Sequence, residues 1–149
     1  MNSITIFNNT FINTTTGIEI GGGGAKANWW NIYNNSFSGA GITTGINVYY
    51  VYYLNITNNS FTDNFVNYAV TFSIWNQNLN LWNNYFWGND GVNGASSSTN
   101  TSLCVNDIGN FYNGSVDLAE VPAKDCGPTP KARECIVSPG VEPAPLMLT

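Results

Sequence analysis

The sequence predicts an all-β chain wound as a solenoid, a parallel β-helix of about five short coils with a Pro-rich C-terminal segment. Three observations lead there. The tetrapeptide Asn-Asn-x-Phe recurs at Asn8, Asn34, Asn58 and Asn83, at intervals of 26, 24 and 25 residues. Apolar and polar residues alternate with period two ahead of each Asn pair. No stretch of ten or more residues carries the 3.6-residue periodicity of an amphipathic helix.

Aligned on the Asn pair, the units give columns. Ile4, Trp30, Leu54 and Leu79 stand four residues before it, and Ile6, Ile32, Ile56 and Leu81 two before it. Thr5, Asn31, Asn55 and Asn80 lie between them. This is a strand with one buried face. Carrying the alternation on places Asn8, Asn34, Asn58, Asn83 and, in a degenerate fifth unit, Asn113 inside as a stacked amide ladder. The second Asn of each pair then takes the left-handed turn before the inward Phe11, Phe37, Phe61 and Phe86. Gly114 falls at that turn if Phe111–Val116 aligns with Ile32–Phe37.

Each unit then adds another strand of the form small, apolar, polar, apolar. Gly17–Ile20, Gly45–Val48 and Ala69–Phe72 fit that form. Short strands every 24 residues or so, with no helix between them, describe parallel β-structure stacked coil on coil. The coils are expected over residues 1–120. Residues 121–149 hold all six prolines, which cannot donate to a ladder, and read as a tail, cap or linker.

These columns resemble the right-handed parallel β-helix repeats of the pectin-lyase-like superfamily, and within it the NosD-type periplasmic "copper-binding" repeats, over about residues 4–116. The resemblance implies a right-handed coil. It leaves function open, since the superfamily includes lyases, glycosidases, adhesins and maturation accessories on one scaffold.

Composition narrows the classes. Only 9% of residues are charged, 43% are hydrophobic, and the net charge is −5 with four Lys and Arg. No basic stripe is available for nucleic acid. No apolar run is long enough to span a membrane. Met1-Asn2-Ser3 runs straight into a strand with no signal peptide, and the first rung is uncapped. An extracellular or cell-surface setting is therefore expected, as part of a longer exported chain, with further β-helix coils or another subunit against the N-terminal edge.

Seven N-x-S/T sequons occur. Those at Asn8, Asn34, Asn58 and Asn113 fall on the expected ladder, which leaves Asn13, Asn55 and Asn100 as glycan acceptors. Of three cysteines, Cys126 and Cys135 flank a short loop. A bridge there suits an exported chain, with Cys104 left over, and three thiols suit a reducing one.

The sharpest functional candidate is an outward column of Phe7, Tyr33, Thr57, Trp82 and Tyr112, whose four rings would form a platform for sugar rings. Trp29, Tyr85 and Trp87 would enlarge it. The competing reading is strand propensity or packing on a neighbouring chain. Catalysis has weak candidates in Asp63, Asp90 and Glu19, since glycoside hydrolysis needs two carboxylates about 5 to 9.5 Å apart. The Asp clusters, Gly-His-Gly and Arg-x-Lys implied by resemblance to the glycosidases are missing. Lys26 is the one base within the coils. Copper lacks ligands, because there is no His and Met1 and Met147 lie at opposite ends. No metal or cofactor is expected. The expectation is a non-catalytic carbohydrate-binding or structural module; the alternative is a fragment of a polysaccharide-degrading enzyme whose active coils lie elsewhere.

Overall fold

The structure is a computed structural model that describes residues 2–21, 28–62, 68–73, 75–88, 92–94, 99–103, 105–106 and 108–113; the side chains of 2, 28, 94, 99 and 111–113 are not described. Among the described residues fourteen strands follow one another without a helix. The first coil is β1 (Asn2–Phe7), β2 (Thr10–Ile12) and β3 (Thr16–Gly21). The second is β4 (Asn28–Tyr33), β5 (Ser36–Ser38) and β6 (Thr44–Tyr49). Next come β7 (Tyr53–Thr57), β8 (Ser60–Thr62) and β9 (Val70–Phe72), then β10 (Gln77–Trp82), β11 (Tyr85–Trp87) and β12 (Val92–Gly94). The last coil has β13 (Thr99–Ser102) and β14 (Phe111–Asn113).

Every third strand pairs in parallel, giving sheets ordered β1-β4-β7-β10-β13, β2-β5-β8-β11-β14 and β3-β6-β9-β12. This is a parallel β-solenoid, as the repeat predicts. The coil count differs slightly from expectation: among the described residues the fifth turn adds strands to two of the three sheets.

The core is built of columns. Ile32, Ile56 and Leu81 are fully buried, as are Leu54 and Leu79 to within a per cent. Phe11, Phe37, Phe61 and Phe86 stack ring on ring with centroids 4.8, 4.8 and 4.9 Å apart and planes within 7°. Against them runs the small column Gly17, Gly45, Ala69. A Cβ on Gly17 would sit 2.7 Å from the Phe37 ring, and one on Gly45 would sit 2.5 Å from the Ala69 carbonyl oxygen. The small residues are there because the rings fill the space.

The ladder lies one residue away from where period-two counting puts it. Asn8, Asn34, Asn58 and Asn83 have φ of 54–56°. The first three of these are exposed and Asn83 is half-buried. Asn35, Asn59, Asn84 and Asn110 are the buried amides of the ladder, at 0 to 2% exposure. The first strand of each of the first four coils ends at the residue before the pair. The left-handed residue that follows breaks the alternation, so its successor, not itself, turns inward. Asn is tolerated at that left-handed position for the reason expected, but it is the first Asn that takes it.

Inside, the bonding repeats rung by rung. The Asn59 amide Nδ2 donates to the Thr57 carbonyl at 3.0 Å, the Ile32 carbonyl at 2.9 Å and Asn84 Oδ1 at 3.0 Å. Its own Oδ1 accepts from the Asn35 backbone N–H at 2.9 Å and the Asn35 amide at 3.0 Å. Asn9, Asn35 and Asn84 bond the same way to the next rung. Each amide thus closes the corner carbonyls that the turn strips from the strand ladder.

The fifth unit is also corrected. The Asn83 N–H donates to the Gly109 carbonyl and Asn84 bonds Asn110 Oδ1. Gly109-Asn110 therefore replaces the pair, 26 residues on from Asn84, and Asn113 pairs with Trp87 instead of joining a ladder. Gly109 stands where the other units turn on an Asn, so glycine obscured the motif rather than marking its second position.

Candidate functional site

The sheet of β1, β4, β7, β10 and β13 turns three columns outward. Its register aligns Ser3, Trp29 and Tyr53 in one, Thr5, Asn31, Asn55, Asn80 and Ser102 in the next, and Phe7, Tyr33, Thr57 and Trp82 in the third. These residues point out because their neighbours Ile32, Leu54, Ile56, Leu79 and Leu81 are committed to the core. The first column continues with Asn78 and Asn100, whose amides bond at 3.2 Å.

The middle column is a second, half-buried amide row. Asn55 Nδ2 donates to Asn31 Oδ1 and Asn80 Nδ2 donates to Asn55 Oδ1, both at 3.0 Å. Each link uses one N–H and one lone pair, so every interior amide keeps a second of each. Aromatic pairs flank the row on both sides. Trp29 and Tyr53 stack at 4.3 Å with planes 7° apart, and Phe7 and Tyr33 stack at 5.2 Å with planes 14° apart. Phe7 and Trp29 are 48% and 42% exposed.

Stacking on successive rungs fixes how the rings stand. Ring centroids spaced close to the rung repeat of about 4.8 Å mean that the faces look along the solenoid axis and the edges look outward. The expected flat platform is therefore a set of rings on edge, interrupted at Thr57. Tyr112 is not in this column, since it pairs with Phe86 in the neighbouring sheet. Tyr85 and Trp87, 6.1 Å apart, also belong to that neighbouring sheet and do not extend the face. Tyr53 and the amide row were legible in the same alignment, as residues one strand period from those singled out.

Among the described residues the face carries no charged side chain. Glu19 is the one charged side chain among the described residues, and it lies on β3 in a different sheet. There the Tyr49 hydroxyl donates to Glu19 Oε1 at 3.0 Å, and the Glu19 carboxylate, through that bond and then its charge, raises the phenol above its ordinary range. Asp63, Asp90, Lys26, Cys104, Cys126, Cys135 and the segment 121–149 lie outside the described residues. Among those described, no group of three or more His, Cys, Asp or Glu is placed to hold a metal ion, and no helix is long and apolar enough to cross a membrane.

Of the sequons, Asn13 and Asn100 are exposed, while Asn55 is half-buried with its amide engaged in the outward row. Asn8, Asn34 and Asn58, which an inward ladder would exclude as acceptors, are exposed as well. Compared with known proteins, the chain matches no family model, no curated protein and no solved structure.

Proposed function

We propose that the protein is a non-catalytic carbohydrate-binding module of an extracellular or cell-surface β-helix, whose ligand lies on the outward face of the β1-β4-β7-β10-β13 sheet. The pattern of its Asn-Asn-x-Phe coils is the basis for relating it to the pectin-lyase-like, NosD-type repeats. One observation carries the functional reading: an uncharged amide row flanked on both sides by stacked aromatic pairs, of which Phe7 and Trp29 are exposed. Aromatic rings supply apolar contact for the C–H faces of a sugar, and the amides supply paired donors and acceptors for its hydroxyls. Lack of charge suits a neutral glycan over a uronic-acid polymer.

A glycan array probed with the whole chain tests this. Binding to neutral glycans that falls on Tyr33→Ala and on Trp82→Ala, with the far-UV spectrum retained, is the expected result. Binding to no glycan leaves a purely structural coil as the remaining reading.

A further inference from the structure

The outward column Phe7, Tyr33, Thr57, Trp82 carries one ring per rung except at Thr57. Tyr33 has one face against Phe7, at 5.2 Å and 14°. Its other face is turned to the Thr57 rung, where a threonine side chain is too short to cover it. Rungs repeat at about 4.8 Å, so Tyr33 and Trp82 arise about 9.6 Å apart along the axis. A ring lying at the Thr57 level would stand about 4.8 Å from each neighbour. That is the spacing of the buried Phe stack, at 4.8 to 4.9 Å. The column thus carries one ring fewer than it has rungs.

We propose that this gap is a subsite for a single six-membered sugar ring of a neutral polysaccharide, inserted between Tyr33 and Trp82 over Thr57. The proposal rests on the carbohydrate reading above and locates where that reading is carried. Two features favour a sugar over an aromatic ligand. Thr57, a residue that bears a hydroxyl, stands at the level of the gap. Asn55, two residues back on the same strand, faces outward beside it at about 6.7 Å, with a second N–H and lone pair to offer hydroxyls. An aromatic ring would leave those groups with nothing to bond. A charged sugar would find no counter-ion on this face.

The design of the test is to fill the gap. The whole chain, wild type and Thr57→Phe, is titrated calorimetrically with cellohexaose, mannohexaose and xylohexaose, and with indole as an aromatic probe. The expected result is binding of at least one hexaose by the wild type, weakened about tenfold or more by Thr57→Phe. The thermal midpoint should hold or rise, because the added ring completes the stack. Thr57→Val, which keeps the gap, should retain most of the affinity. If Thr57→Phe does not fold, Thr57→Leu fills the gap with less bulk and must show the same loss. Unchanged hexaose binding in the filled variants, with loss on Trp29→Ala, overturns the subsite but leaves the carbohydrate reading standing. Binding of indole but of no hexaose overturns the choice of sugar. Binding of none overturns both.

Discussion

Two identical residues in sequence do opposite work. In each Asn-Asn pair the first supplies a left-handed backbone, and in the pairs ending at Asn35, Asn59 and Asn84 the second supplies a buried amide with partners on three rungs. Replacement should separate them. Asn58→Gly, at φ 54°, should change stability by no more than about 1 kcal/mol, because glycine adopts that backbone freely. Asn59→Ala strands the buried Asn35 N–H and the Ile32 carbonyl and should cost about 3 kcal/mol or more. Urea unfolding of the two variants checks the contrast, and equal losses would return the ladder to the first Asn. The sequence could not choose between the two by composition. Alternation runs correctly to Tyr33 and Thr57, but only the strand's end tells the reader to stop counting, and a turn made by Asn looks like more of the same.

Tyr49 offers a second test at this scale. Its phenol is raised by Glu19, so the stability this contact gives is fully present below the ordinary tyrosine value and fades as pH climbs through the raised one. Ultraviolet titration should show one tyrosine ionising late in the wild type and returning to the ordinary range in Glu19→Gln.

Among elements, what matters is which columns face each other. The Gly17, Gly45, Ala69 column exists to admit the phenylalanine stack, so Gly45→Ala should destabilise by about 1–3 kcal/mol through overpacking against the Ala69 carbonyl and the Phe61 ring. A variant as stable as wild type in thermal unfolding would show that the two columns are slack. The strand patterns and the Phe column were readable because burial imposes them on every rung. The fifth unit was not, because Gly109 replaces the Asn and Tyr112 stands at the level of Phe86, so neither hallmark of the repeat survives. The corner from the third sheet back to the first was also hidden. There Tyr50 and Trp75 hold φ of 57° and 60°, a conformation their side chains disfavour, and no propensity rule would place them so.

For the molecule as a whole, the coils pair rung to rung, and the face proposed to take a glycan carries no charged side chain among the described residues. Its lack of charge makes a prediction about conditions. Glycan affinity should stay within about twofold between ~0.05 and ~0.5 M salt, since no screened charge pair contributes. A steep fall measured by calorimetry would point to a charged ligand seated elsewhere. The face was half legible from sequence: Phe7, Tyr33 and Trp82 followed from period two, but ring orientation follows from stacking distances, which no alignment contains.

The buried amide row has a direction. From Asn9 to Asn110 every link donates from the lower-numbered coil and accepts on the higher, so the stack is a vector with unlike poles. Its first pole offers an oxygen and can be continued only by a donor. Two such stacks brought together by their first poles would set acceptor against acceptor and repel. Any assembly that prolongs this row must therefore be polar, one molecule following another in file, and a mirror-like joining of equal ends is closed to it.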